Sequence, residues 1–142
     1  MLCELGTSIL NSLFLFDRMV IPVLTYGSDV WGYETYHCIE AVHLKFCRRL
    51  LSLNSNVPKL SIYGELGRNP IHVLHKYNMI KYWLKINFMP LDRYPKACYD
   101  ILYTLHCSGR QTWASHVKSC LDNLGISYAW ISHGVTDVTI LN

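Results

Sequence analysis

Residues 36–53 place the strongest constraint on the fold, because their apolar residues recur with helical spacing. The residues of this stripe are Ile39, Val42, Phe46, Leu50 and Leu53, and Leu44, Cys47 and Leu51 widen it. The apolar face then covers about half of the helix circumference, so neighbouring elements must bury most of it. The remaining arc carries Lys45, Arg48 and Arg49, which predicts a basic exposed strip.

Similar periodicity along the rest of the chain predicts an all-α fold. Further helices are expected over residues 8–31, 59–66 and 70–88, followed by helices that start near Pro95 and Thr112 and a final turn near Trp130. The tail from Val135 to Leu141 alternates weakly and is too short and isolated to predict a strand. We therefore expect one irregular helical domain of five to seven helices.

Local signals mark several helix ends. Gly67 follows residues 59–66 as a C-cap, and Pro70 suits the first position of the next helix after an Asn69 N-cap. Gly64 and Gly67 do not form a phosphate-binding loop, because no strand precedes them and no Gly-Lys-Ser/Thr follows.

The stretch PVLTYGSDVWG, residues 22–32, interrupts this helical pattern. Pro22 lacks an N–H, so a kink or break is expected near Arg18 to Ile21. Asp17 falls on the apolar side of the first helix, where it needs a cationic partner or marks the break.

Composition limits the class of protein. Apolar residues make up 51% and charged residues 16%, which excludes wholesale disorder and predicts some apolar surface that another part of a larger protein covers. The most apolar run contains Asp17 and Arg18, so no membrane span is predicted. Six cysteines without C-x-x-C spacing or a secretory signal indicate free thiols and an intracellular protein, in cytoplasm or nucleus.

The net charge of +3 conceals an uneven distribution. Residues 1–40 carry −4, residues 41–110 carry +8 and residues 111–142 carry −1. A basic middle is typical of a polyanion partner, although a solvated face of lysines and arginines gives the same pattern. Lys76, Lys81 and Lys85 lie in this middle, next to Tyr77 and Trp83. Exposed aromatics there would stack on bases. For Tyr77 we favour burial in the core over base stacking, whereas for Trp83 the two interpretations are evenly balanced.

Known catalytic and metal-binding patterns are weak. The sequence has no G-x-S-x-G elbow, no papain-like cysteine context and no adjacent Asp-Asp pair. The histidines and cysteines include pairs at helical spacing, His72 with His75 and His116 with Cys120. A zinc module remains an alternative, but their spacing matches no compact finger. No cofactor is predicted.

Three ordered motifs carry a family resemblance: FDRMVIPVLTYGSDVWG at 16–32, IEAVHLKFCRRLL at 39–51 and YGELGRNP at 63–70. Together they resemble the thumb and the region downstream of it in non-LTR (LINE-type) retrotransposon reverse transcriptase polyproteins. Residues 80–85 and 121–128 are similar too, so the resemblance spans about residues 10 to 131.

The resemblance implies a thumb-like kinked segment at 1–35, a helical post-polymerase region at 36–132 and a tail at 133–142. It supplies no catalytic residue, because the palm aspartates of the family have no counterpart here, nor does an endonuclease domain. The expected partners are RNA or an RNA–DNA duplex and the upstream polymerase palm, with no membrane. In this interpretation Lys45, Arg48 and Arg49 contact phosphates, and Lys76, Lys81 and Lys85 assist.

Under the same resemblance the residues of the PVLTYGSDVWG stretch are scaffold. Pro22 kinks the helix, Gly27 lets a neighbouring helix approach, and Tyr26 and Trp31 cover the junction, with Trp31 packed on residues 39–53. The alternative is a structural or interaction module without a nucleic-acid role.

Overall fold

Helices account for every regular element in the part of the chain that the structure describes. This computed structural model describes the backbone of residues 2–134 and the side chains of residues 8–132. The all-α prediction is confirmed there. Eight helices are present in residues 2–134 when the first, interrupted one is counted once, against the five to seven expected. The predicted tail lies outside the described residues beyond Gly134.

The first helix is interrupted where the sequence predicted a break. Helix α1 (Leu2–Leu15) passes into a π-helical turn (Phe16–Val20) and then into α2 (Ile21–Leu24). The Ile21 N–H donates to the carbonyl of Phe16, five residues back, instead of four. Pro22 has no N–H for the carbonyl of Arg18, so the α-helical ladder cannot continue through this point. A π-turn is a common way for a helix to accommodate such an interruption.

Two glycines flank the short helix α3 (Ser28–Trp31), and their roles differ from the expectation. Gly27 has a φ of 68°, in the left-handed region, and a Cβ there would meet only the Trp31 side chain of the same turn. It is Gly32 that permits close approach, because a Cβ there would lie 2.7 Å from the carbonyl oxygen of His75. The prediction for Gly27 is therefore wrong, and Gly32 has that role.

The remaining helices follow the predicted order closely. They are α4 (His37–Leu50), α5 (Lys59–Glu65), α6 (Ile71–Asn87), α7 (Tyr94–Cys107), α8 (Trp113–Asn123) and α9 (Ser127–Gly134). Contacts divide the chain into two compact units, residues 1–75 and 76–142, and the border falls inside α6. Gly67 ends α5 as predicted, with a φ of 59° and the paired backbone hydrogen bonds of a Schellman motif. Gly64, in contrast, lies in the last turn of α5 with open space around it.

Glu40 connects three helices of the first unit. Its carboxylate accepts hydrogen bonds from the Tyr63 hydroxyl on α5 and from the Ile71 N–H at the start of α6, the latter at 3.0 Å. The first N–H groups of a helix have no partner within it, and the positive end of the helix dipole favours an anion. Burial and the bond to Glu40 raise the pKa of Tyr63, so the phenol stays protonated. The helix begins one residue after Pro70, and Glu40 makes the bond for which the sequence predicted Asn69.

The core of the first unit lies between α4 and α5. Leu44, Cys47, Ile62 and Tyr63 are buried together, and Phe46, Leu51, Val57 and Leu66 pack around them. Trp31 contacts Tyr36 and His75, with ring centroids 5.2 and 4.7 Å apart, and its indole N–H donates to the carbonyl of Tyr26. The ring contacts of Trp31 are thus with His75 on α6 and with Tyr36, the residue before α4, and its packing on residues 39–53 stays a prediction. The Tyr26 side chain is 84% exposed, so it does not cover the junction.

The core of the second unit is built around Trp83. Its indole N–H donates to the Tyr99 hydroxyl at 2.9 Å, and its ring stacks on Trp130 at 5.7 Å. Other buried members come from α6 and α8: Met79, Ile86, Ala114, Val117, Cys120 and Leu121. Across residues 2–134, we find no helix with both the length and the apolar content that a bilayer crossing requires.

Replacing Gly32 with alanine should lower the free energy of unfolding by about 1–3 kcal/mol, because the new methyl group overpacks the contact with His75. The matched control is Gly64→Ala, which has open space around it and gains helix propensity. Urea unfolding of both variants tests this expectation, and equal midpoints for Gly32→Ala and the parent chain would contradict it.

Removing the Glu40 carboxylate should also destabilise the first unit. Glu40→Ala leaves the Tyr63 hydroxyl and the Ile71 N–H without their acceptor, and a hydrogen bond to a charged group contributes about 1.5–3 kcal/mol. Glu65→Ala removes an exposed carboxylate of α5 and serves as the control. Thermal unfolding that shifts equally in the two variants would show that Glu40 has no special role.

Candidate nucleic-acid interface

One groove on α4 collects the three basic residues that the sequence singled out. We call it the α4 groove; it has a volume of about 520 Å³ and is lined by Ala41, Leu44, Lys45, Arg48, Arg49, Ser52 and Leu53. The basic arc faces outward because α4 buries Cys47 and the side of Leu44 that faces α5 in the core of the first unit. No acidic residue lines it, so its positive charge is not offset locally.

The three cations of the α4 groove are not equivalent. Lys45 and Arg49 are exposed, and neither has an ion-pair partner within the described residues. Arg48 is half-buried; its Nη2 donates to the carbonyl of Val57 at 3.3 Å, and its buried Nε has no hydrogen-bond partner. Arg48 therefore anchors the loop after α4, and Lys45 and Arg49 are the residues free to contact a ligand.

The second predicted group of lysines is divided by the geometry of α6. Lys81 and Lys85 are exposed, whereas Lys76 is half-buried and lies about 140° around the helix from Lys81. The positive charge of Lys76 acts instead on Cys120, whose pKa is raised by burial and partly lowered again by this lysine. Lys76 thus does not share a face with the other two lysines.

Tyr77 is exposed where the sequence favoured the core, and Trp83, for which the two interpretations were evenly balanced, is buried. Tyr77 is 60% exposed, and the ammonium of Lys81 lies 5.9 Å from the centre of its ring. Trp83 is fully buried in the second unit. The helical spacing of Tyr77 with Ile80 and Leu84 suggested that Tyr77 lies in the core. In the structure the adjacent face of α6 is buried instead. The prediction for Tyr77 is therefore wrong.

A second basic groove lies at the turn between α6 and α7, and the sequence analysis missed part of it. It has a volume of about 520 Å³ and is lined by Lys85, Phe88, Met89, Pro90, Arg93 and Pro95. Arg93 and Phe88 were not identified as candidate binding residues, although an aromatic and a cation in a proline-containing linker are a recognisable signal. Arg93 is exposed and has no ion-pair partner among the residues described.

Asp17 finds the cationic partner that its position required. The Nη2 of Arg68 lies 2.6 Å from both carboxylate oxygens of Asp17, and the guanidinium lies over the Phe16 ring at 5.9 Å. The Schellman turn at Gly67 directs the chain so that Arg68 reaches the π-turn. Both sequence alternatives for Asp17, a partner and a break, therefore occur together.

Histidines and cysteines in the described part of the chain do not form a metal site. No three groups of the His, Cys, Asp or Glu type converge there. His75 is buried with its Nε2 3.1 Å from the carbonyl of Leu24, and His106 Nδ1 lies 2.8 Å from the Ser115 hydroxyl. Of the two pairs that suggested zinc, His75 and Cys120 are buried.

Comparison with known proteins returns no match: no protein-family model, no curated protein and no solved structure matches this chain.

Acid should destabilise the first unit through two buried histidines. Burial lowers the pKa of His43, as does the nearby Arg68, and burial lowers the pKa of His75. The unfolded chain then binds more protons than the folded one below the usual histidine pKa of about 6.5, so stability is present above that pH and is lost as the pH falls further.

Replacing His43 with phenylalanine tests this pH dependence. Phenylalanine suits the ring stack and cannot bind a proton, so the variant should lose less stability than the parent chain between about pH 7 and 5. Urea unfolding at several pH values measures the slope. Identical slopes for the variant and the parent chain would rule out His43 as a contributor.

Proposed function

We propose that this chain is the thumb and downstream helical region of a LINE-type reverse transcriptase, without catalytic residues of its own, and that it holds RNA or an RNA–DNA duplex. The observation that carries the proposal is the α4 groove, in which Lys45, Arg48 and Arg49 line one surface with no acidic residue among them. The ordered motifs at 16–32, 39–51 and 63–70 support the same assignment.

The α4 groove suits a phosphate backbone. Cations without intramolecular partners release counterions when they neutralise phosphates, and this term dominates non-specific nucleic-acid binding. Lys45 and Arg49 lie one turn apart on the same face, so both contact one strand of a duplex or one single strand. Arg48 contributes charge while it anchors the loop through Val57.

The exposed face of α6 and the turn after it supply a second positive surface. Lys81 and Lys85 are exposed there beside Tyr77, and Arg93 lies across the α6–α7 turn from Lys85. Aromatic rings beside cations stack on bases with little sequence preference. We assign Lys76 a smaller part in binding, because it is half-buried on another face.

A structural or interaction module without a nucleic-acid role is the second candidate, and one observation favours it. The first helix leaves large apolar side chains exposed to solvent: Leu10, Phe14, Leu15, Met19 and Val23. Several large apolar side chains exposed on one helix are typical of contact with another protein surface. In this candidate the face contacts another part of a larger protein, such as a polymerase palm.

Replacing Lys45 and Arg49 together with alanine should weaken binding of a single-stranded RNA and of an RNA–DNA duplex. Losing two phosphate contacts lowers the slope of log K against log salt by roughly 1.4–1.8, at about 0.7–0.9 for each contact. Arg48 is kept in this variant, so that the loop after α4 stays anchored.

The matched control is Lys59→Ala with Arg110→Ala, which removes the same charge from exposed positions outside both grooves. Fluorescence anisotropy between 50 and 300 mM salt, roughly the range over which such contacts are screened, measures the slopes. Equal effects of the two double variants would show that binding depends on net charge alone and not on the α4 groove. A parent chain that binds no nucleic acid at low salt would favour the second candidate.

A further inference from the structure

A cleft in the first unit has no part in the proposed function, and it combines apolar walls with a polar end. We call it the His43 cleft; it is lined by Leu13, Asp17, Ile21, His43, Leu66, Gly67, Arg68, Asn69 and Leu74. Its volume is about 510 Å³, within the range of small-molecule sites. The walls come from the first helix, from the turn after α5 and from α6.

The polar end of the cleft presents donors and an acceptor side by side. Arg68 uses Nη2 alone for both oxygens of Asp17, so its Nη1 and Nε groups remain as donors. The Arg68 side chain is 15% exposed and that of Asp17 is 48% exposed, so both are within reach of a molecule in the cleft. Each carboxylate oxygen also has lone pairs to spare.

His43 closes the cleft with a polar ring that has no polar partner. The residue is 1% exposed, its ring stacks between Phe16 at 5.7 Å and Tyr63 at 5.3 Å, and neither nitrogen makes a hydrogen bond. Both nitrogens are fully buried, so the polar groups open to a molecule in the cleft are those of Asp17 and Arg68. The burial that lowers the pKa of His43 keeps the ring uncharged near neutral pH.

The charges of the cleft select an uncharged ligand. Asp17 and Arg68 offset each other, and the other lining residues are apolar or neutral. An anion or a cation would lose its hydration there without meeting an unmatched opposite charge, which is costly in a partly buried site. A neutral group that both donates and accepts a hydrogen bond fits the Asp17–Arg68 pair without separating it.

We propose that the His43 cleft binds an uncharged small molecule with an apolar body and an amide-like edge, such as a carboxamide or a lactam. The amide N–H donates to the Asp17 carboxylate, and the amide carbonyl accepts from Arg68. The apolar body lies against the Leu13, Ile21 and Leu74 side chains. This site does not depend on nucleic-acid binding by the α4 groove.

Three nearly isosteric probes separate the possible ligand charges: benzamide is neutral, benzoate is an anion and benzamidine is a cation. Each is titrated into the isotope-labelled full chain, and NMR follows the Arg68 Nε–H signal and the methyl groups of Leu13 and Leu74. We expect saturable binding of benzamide at millimolar concentrations, and binding of the two charged probes about tenfold or more weaker.

A pair of neighbouring substitutions on α6 locates the binding. Leu74→Trp fills the cleft and should abolish the benzamide response, whereas Val73→Trp introduces the same side chain at a position that does not line the cleft. Three results would overturn the proposal: no saturation by benzamide, binding of benzoate or benzamidine as tight as that of benzamide, or a response that Leu74→Trp leaves intact. Because RNA binding is measured separately, failure here leaves the proposed function untouched.

Discussion

The carboxylate of Glu40 is the interaction on which the first unit depends. It joins α4 to the Tyr63 hydroxyl on α5 and to the first N–H of α6, so one side chain sets the positions of two helix ends. A carboxylate at this place satisfies a donor that the helix itself cannot satisfy, and the helix dipole adds to the attraction. Because α5 and α6 are held this way, the turn between them directs Arg68 towards Asp17, and the basic arc of α4 faces outward.

The Asp17–Arg68 pair and the π-turn both occur where the first helix is interrupted. Pro22 interrupts the hydrogen-bond ladder, and the carboxylate beside the interruption is paired with a guanidinium that arrives from fifty residues later in the chain. The pair is partly exposed, so its contribution to stability is modest, but it defines the polar end of the His43 cleft. The α4 groove and this cleft therefore lie on the same unit but differ in charge. The groove is cationic and has no acidic lining residue, whereas the cleft is neutral overall.

The sequence predicted the order and the bounds of the helices to within a few residues, because those signals are local. Apolar spacing, Pro22 and Gly67 act through neighbours within about one turn, and each behaves in the structure as its chemistry requires. The first predicted helix is the exception: α2 ends at Leu24, and Gly27, in the left-handed region, is the N-cap of a separate short helix. Residues 45, 48 and 49 were also grouped correctly, since one helix face is a local property.

The sequence by itself determined an all-α chain with a basic arc on α4, whereas the tertiary structure decided which side chains are free to bind. Arg48 donates to the Val57 carbonyl, Lys76 is half-buried, and Tyr77 is exposed while Trp83 is buried. Gly32, not Gly27, admits the backbone of α6. In each case the residues compared have nearly the same pattern of neighbours in the sequence. Their exposure differs because elements distant in sequence cover one face of a helix and leave the other exposed. Periodicity shows that a helix has faces, but only packing decides which of them meets solvent.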